Sequence, residues 1–203
     1  MIEQWVTALY RMEEYFHSGG VVMLPLAGIS LVMWLLIINR TLYFRRLYRK
    51  NMDTRTAWDH ISKNRLPDPA KYQGAVSLLV SDFVTRKSGN ATLDRFILDE
   101  TVLKINRSLD DYLGTIGALA AVAPLMGLLG TVIGMIVTFD VIAVFGTGNT
   151  RAMSGGISEA LITTQTGLLV AIPGLYMKGF LDRRAHKLKQ RNAVVGYYLR
   201  RRL

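Results

Sequence analysis

Three long stretches of the chain carry no charged side chain. They run from Val21 to Ile38, from Tyr112 to Phe139 and from Ala160 to Met177. An α-helix rises about 1.5 Å per residue, so each stretch is long enough to cross the hydrocarbon core of a bilayer. The pattern predicts an all-α, polytopic membrane protein with three transmembrane helices.

The more polar sequence around these stretches divides the chain into seven segments. In chain order we predict an amphipathic N-terminal helix (1–19), a first span (20–43), a helical region (44–110), a second span (111–145), a short loop (146–156), a third span (157–178) and a basic C-terminal helix (179–203). No helix breaker separates the second or the third span from the helical pattern at its inner end. We therefore expect both helices to extend beyond the membrane.

Shorter amphipathic helices are predicted outside the spans. Apolar residues recur at helical spacing from Tyr72 to Phe83 and from Leu98 to Leu109. Turns are expected at residues 67–69 and 88–90, which contain Pro-Asp-Pro and Ser-Gly-Asn. The N-terminal helix has an apolar stripe, so it either lies on the membrane surface or caps the helix bundle.

The formal net charge of +10 is explained by the position of the basic residues. Residues 45–110 hold 13 Lys and Arg and residues 178–203 hold 9, whereas residues 1–20 and the loop hold one each. By the positive-inside rule, the N-terminus and the loop are expected outside, and the basic segments are expected in the cytoplasm, beside anionic membrane lipids. The charge therefore indicates topology, and we predict no binding of nucleic acid.

The sequence offers little for enzyme chemistry. It contains no cysteine, and its three histidines have no partner at metal-ligand spacing. Neither a phosphate-binding loop motif nor a nucleophile-elbow motif is present. We predict that the protein is not an enzyme and has no cofactor and no metal site.

The second span contains several small residues. Gly127, Gly130 and Gly134 lie at spacings that let a neighbouring helix approach closely. Three spans offer each helix few neighbours within one chain. The glycines therefore predict close helix packing, and the pattern favours a homo-oligomer.

The polar residues of the spans are mainly threonines. Thr131 and Thr138 are seven residues apart on the second span, and Thr164 belongs to a cluster on the third. Together they could line a polar lumen in a ring of subunits. Alternatively, each hydroxyl returns to a backbone carbonyl one turn back. Glu159 and Asp140 lie near the outer ends of their spans, where a carboxylate either marks an ion path or is simply hydrated.

Two segments carry a resemblance to a known family. Residues 123–135, APLMGLLGTVIGM, resemble the second-span signature of the MotA/TolQ/ExbB proton-channel family. Residues 155–164, GGISEALITT, with Gly167-Leu168 and Ala171-Ile172-Pro173 after them, are similar to its third-span motif. Three spans, with most of the cytoplasmic mass between the first two, resemble the ExbB and TolQ branches, and ExbB most.

The resemblance implies a function and partners. It implies a homopentamer whose second and third helices enclose a pore, in which an ExbD-like dimer supplies the protonatable aspartate. The proton-motive force would then energise a TonB-like protein for uptake through outer-membrane receptors. By position in the motifs, Thr131 and Thr164 correspond to pore threonines and Glu159 to the outer glutamate, and we add Thr138 to this pathway. The chain departs from the family pattern at Thr163, Gln165, Thr166 and Asp140.

Two alternatives remain open at this point. A TolQ-like subunit would use the same motor for envelope integrity. A membrane scaffold that transports nothing would use the glycine-rich helices only to assemble other proteins.

Overall fold

A computed structural model describes residues 18–49 and 52–203, and all regular secondary structure in them is helical. The helices are α1 (Met23–Tyr48), α2 (Thr54–Ser62), α3 (Ala75–Arg86), α4 (Ala91–Ser108), α5 (Leu113–Phe145) and α6 (Thr150–Arg202), with a 3₁₀ turn at Gly146–Gly148. Helix α1, α5 and α6 are each long and apolar enough to cross a membrane. The predicted all-α class and its three candidate spans are thereby confirmed. Residues 1–17 of the predicted N-terminal helix (1–19) lie outside the described part.

The chain forms two compact units. The first, which we call the span unit, contains residues 18–36 and Thr115–Lys178. The second, which we call the basic unit, contains Ile37–Gly114 and Gly179–Leu203. The two units divide the apolar stretches from most of the charged residues.

The basic unit has a core like that of a soluble helical protein. Helices α2, α3 and α4, the last turns of α6, and Met52 just before α2 contribute the following buried side chains: Met52, Ala57, Ile61, Val76, Leu79, Val80, Phe83, Leu98, Ile105, Val195 and Leu199. Gly196 lets α6 approach α4, since a Cβ atom there would lie 2.8 Å from Cγ2 of Val102. Burial of apolar area therefore stabilises this unit.

The two predicted amphipathic helices are present as α3 and α4, with a turn between them. Asn90 caps α4 by accepting a hydrogen bond from the Thr92 N–H at 3.0 Å. Helix α2 was not predicted, because it has only nine residues. The sequence pattern that could have indicated this helix is the pair Ala57 and Ile61, which are four residues apart and both fully buried.

The prediction that α4 continues into the second span is wrong. Helix α4 ends at Ser108, and Tyr112 adopts a left-handed φ of 63° before α5 begins. The guanidinium of the buried Arg40 donates a hydrogen bond to the Ser108 carbonyl, one of the groups that a helix end leaves without an intrahelical partner. Leu109 is fully buried just after the helix end. These tertiary contacts, and not a local breaker, end the helix.

The predicted loop at residues 146–156 is too long. Helix α6 begins at Thr150, and the Met153 N–H bonds to the Asn149 carbonyl at 3.2 Å. Gly155 and Gly156, which the predicted loop includes, lie inside the helix. The predicted third span and C-terminal helix are one element of 53 residues.

Ion pairs connect α3 to α4 on the surface of the basic unit. The Lys104 ammonium lies 3.0 Å from one oxygen of Asp82, and the Thr101 hydroxyl donates to the other oxygen at 3.3 Å. Partial burial raises the pKa of Asp82, but the hydrogen bond and positive charge of Lys104 outweigh it. The pKa of Asp82 therefore lies below its ordinary value.

We expect Phe83→Ala to destabilise the basic unit by about 3–5 kcal/mol, because Phe83 is fully buried in its core. Phe96→Ala is the matched control, since Phe96 is 68% exposed. Trp58 packs against the same core. Its fluorescence during denaturation of the detergent-solubilised chain, with the other two tryptophans replaced by phenylalanine, reports unfolding of this unit. Equal effects of the two substitutions would contradict the assigned core.

We also expect Asp82→Asn to lower stability at neutral pH. The folded pKa of Asp82 is depressed, so its stabilising contribution is present above the unfolded pKa and is lost as the pH falls through the folded pKa. The difference between the two proteins should therefore shrink in acid, in the same Trp58 assay. A difference that stays constant between neutral pH and strong acid would show that the charge of Asp82 is not involved.

Candidate pore seam between α5 and α6

The glycines of α5 lie against the backbone of α6. A Cβ atom at Gly127 would lie 2.9 Å from the Thr163 carbonyl oxygen, and one at Gly134 would lie 2.6 Å from the Gly156 carbonyl oxygen. At Gly130 it would collide with the Thr163 side chain. Only glycine permits this approach.

Helix α6 contributes small residues to the same contact. A Cβ atom at Gly167 would lie 2.7 Å from the Ala123 carbonyl oxygen, and one at Gly156 would collide with the Thr138 hydroxyl. The two helices thus pack along an antiparallel seam within one chain. The contact within one chain accounts for these glycines. They therefore give no evidence by themselves for a second copy of the chain.

The hydroxyl of Thr164 reaches from α6 to the backbone of α5. Its Oγ1 donates a hydrogen bond to the carbonyl of Gly127 at 3.1 Å. In an α-helix that carbonyl also accepts the N–H of the residue four positions later, which is Thr131. Thr164 and Thr131 therefore lie side by side at the edge of the seam, and both are half-buried.

The Thr131 hydroxyl returns to its own helix. It donates to the Leu128 carbonyl at 2.5 Å. Leu128 itself is 59% exposed. The accessible edge of the seam beside the two threonines, which we call the rim, is therefore an apolar surface. The structure thus brings Thr131 and Thr164 together on one accessible rim.

The other threonines have packing roles. Thr138 is buried against Gly156 and donates to the Gly134 carbonyl at 2.9 Å. Thr163 is fully buried and bonds to the carbonyls of Glu159 and Ala160. For these two, as for Thr131, the structure shows the alternative that sequence analysis left open, in which the hydroxyl bonds to the backbone of its own helix. Thr138 therefore lies inside the seam, away from the rim.

Two carboxylates lie beside the apolar stretches of α5 and α6, at Asp140 and Glu159. Glu159 is half-buried, and its side chain lies against Gly20, which has a φ of 63°. A Cβ atom at Gly20 would collide with the Glu159 carboxylate, so this position needs glycine for both its conformation and its space. Asp140 is exposed. The contact with Gly20 was missed by sequence reasoning, although the Gly19-Gly20 pair just before an apolar stretch is its signal.

The described residues hold no group of three His, Asp or Glu that could bind a metal ion. The middles of the three apolar stretches contain no ionisable residue. The chemistry of the seam is therefore that of hydroxyl and carbonyl groups.

Comparison with known proteins shows clear similarity to one family. Residues 70–193 match the MotA/TolQ/ExbB proton channel family. The biopolymer transport protein ExbB of Neisseria meningitidis serogroup A is 28% identical over 201 residues, which cover 89% of this chain and 91% of that protein. A protein of Synechocystis sp. described as ExbB-like 1 is 34% identical over 182 residues, covering 83% of this chain and 69% of that protein.

An ExbB homolog of Methanothermobacter thermautotrophicus is 28% identical over 186 residues, covering 87% of this chain. The match spans 66% of that relative, slightly less than two thirds of its length.

We expect Gly130→Ala to destabilise the span unit by about 1–3 kcal/mol, because the added methyl group collides with the buried Thr163. Gly155→Ala is the matched control, since a Cβ atom at Gly155 would have open space around it. Thermal unfolding of the detergent-solubilised variants, followed by circular dichroism, measures both. A control that loses as much stability as Gly130→Ala would refute the tight seam.

Proposed function

Since the chain belongs to the MotA/TolQ/ExbB proton channel family, we propose that it is an ExbB-like subunit of an inner-membrane motor driven by the proton-motive force. In this proposal an ExbD-like single-span partner supplies the protonatable aspartate. A TonB-like protein receives the mechanical output and powers active uptake through outer-membrane receptors. The N-terminus is periplasmic and the C-terminus cytoplasmic.

One observation carries the proposal. Thr131 and Thr164 meet at the Gly127 carbonyl on an accessible rim, while no ionisable residue lies mid-span in this chain. A proton path through such a chain needs a titrating group from elsewhere. The proposed assembly is a homopentamer in which the α5–α6 seams of the subunits surround the partner's transmembrane helices.

The hydrogen bonds of the two threonines limit what they can do for a partner carboxyl group. A hydroxyl has one proton, and both Thr131 and Thr164 donate theirs to backbone carbonyls. Their oxygens are then free only to accept. A protonated carboxyl group can donate to such an oxygen, whereas a carboxylate can only accept. The seam therefore favours the neutral form of the partner's aspartate.

This preference suggests how a proton drives movement. A proton that enters from the periplasm neutralises the aspartate and removes the cost of an unpaired charge in a low-dielectric pore. The neutral side chain is then held by the threonine oxygens of one subunit until it loses its proton to the cytoplasm and the helix moves to the next subunit. Each charge that crosses the membrane supplies roughly 2.3 kcal/mol per 100 mV. In the same proposal Glu159, at the periplasmic end of α6, lies at the entry to this path.

We predict that Thr131→Val and Thr164→Val each abolish energy-coupled uptake while the oligomer stays assembled. Thr164→Val also removes a hydrogen bond between α5 and α6, which is worth about 0.5–1.5 kcal/mol, so its thermal stability should fall slightly. Thr164→Ser is the matched control and should retain uptake, because it keeps the hydroxyl. Uptake in cells and the mass of the purified complex are the two measurements. Normal uptake in both valine variants would rule out the hydroxyl mechanism.

Co-purification with the products of neighbouring genes separates the remaining functions. A TonB-like partner supports the ExbB-like role, and a TolA-like partner supports a TolQ-like role in envelope integrity. A stable complex without any single-span, aspartate-bearing partner would favour a membrane scaffold.

A further inference from the structure

One polar side chain of α6 points away from the seam. Gln165 is exposed, and its amide makes no hydrogen bond with any residue that the structure describes. Thr163 and Gly167 contact α5, and Gln165 is two residues from each, which is about 200° around an α-helix. Gln165 therefore lies on the opposite face of α6, in the middle of an apolar stretch.

The surroundings of Gln165 are hydrophobic and patterned. Leu161, Leu168 and Ile172 are between 47% and 66% exposed, and with Gln165 they form one line at spacings of four, three and four residues. This is the spacing of a helix-packing seam with a single polar position. An amide exposed to hydrocarbon on this line has no water to satisfy it and is costly.

Helix α5 has a matching line on its own outer face. Leu125, Leu129, Val132 and Ile136 are between 46% and 62% exposed and follow the same spacing of four, three and four. Gly127 contacts Thr164 and Gly134 contacts Ala160, and the two helices are antiparallel. The outer line of α5 and the line through Gln165 on α6 therefore lie at the same level along the helix axes. The outer face of α6 can thus meet the outer face of α5 in a second copy and repeat the antiparallel pairing that already exists within one chain.

We propose that Gln165 lies in the contact between adjacent copies of this chain, where its amide donates a hydrogen bond to the backbone of the neighbouring α5. The inference rests on the ring of the proposed function and names the surfaces that close it. The outer line of α5 carries only apolar side chains, so a backbone carbonyl is the acceptor. Thr164 already bonds to such a carbonyl within the chain. A head-to-tail contact of two different faces forms a ring when it is repeated with a rotation that closes.

Paired cysteines test the contact directly, because the native chain contains none. Gln165→Cys combined with Leu129→Cys places the two thiols on faces that point apart within one chain, so a disulfide between them can form only between copies. Mild oxidation in membranes should produce a ladder of cross-linked species up to the full ring. Leu24→Cys with Leu129→Cys is the matched control: Leu24 is 72% exposed on α1, and the contacts of Gly19 with Ile162 and of Gly174 with Met33 place it at the depth of Gln165. This pair should stay mainly monomeric.

The outcomes separate this inference from the function on which it rests. Native mass spectrometry of the purified complex counts the copies independently. A ring that forms without cross-linking through position 165, or a control pair that cross-links equally well, would overturn the inference and leave the motor intact. A monomeric chain would overturn both.

A second variant tests the amide itself. Gln165→Leu should weaken association of the copies by roughly three- to twenty-fold, the range expected when one hydrogen bond between membrane helices is lost. The dissociation equilibrium in detergent measures this change. Unchanged or stronger association would show that the amide makes no contact in the ring.

Discussion

The span unit depends on one constraint, the contact of α5 and α6 at backbone distance. Gly127 and Gly134 place their backbones within about van der Waals range of α6, and no side chain fits between them. In a membrane, lipid tails are as apolar as leucine, so close packing and hydrogen bonds replace the hydrophobic effect as the source of helix association. This proximity is what allows the Thr164 hydroxyl to reach a carbonyl of the other helix.

The seam also explains why the same residue type serves two purposes. Thr138 and Thr163 lie within the contact, and their hydroxyls only satisfy the backbone. Thr131 and Thr164 lie at its edge, where their oxygens remain accessible. Whether a threonine lies within the contact or at its edge therefore decides whether its hydroxyl oxygen is accessible to a partner. That distinction requires three-dimensional placement and is absent from the spacing of threonines along the chain.

Sequence alone predicted the parts of the fold that depend on local patterns. The three apolar stretches, the amphipathic repeats of α3 and α4 and the turn at residues 88–90 are each set by composition and spacing. The break after Ser108 was missed because it depends on Arg40, 68 residues away in the chain, and on the burial of Leu109. The start of α6 at Thr150 was missed because residues 150–156 are mostly polar or small, whereas in the structure they form the first turns of the helix, with Gly156 packed against Thr138. For the candidate site, the motifs indicated Thr131 and Thr164, and the structure adds the shared carbonyl that brings them together.

The contact between Gly130 and Thr163 has an evolutionary consequence. A Cβ atom at 130 would collide with the Cβ atom of Thr163, so any residue with a Cβ atom at 163 is compatible only with glycine at 130. Only a chain with glycine at 163 has room for a methyl group at 130 without moving either helix. Among relatives that keep this seam, the two positions should therefore vary together, and a side chain at one should be accompanied by glycine at the other.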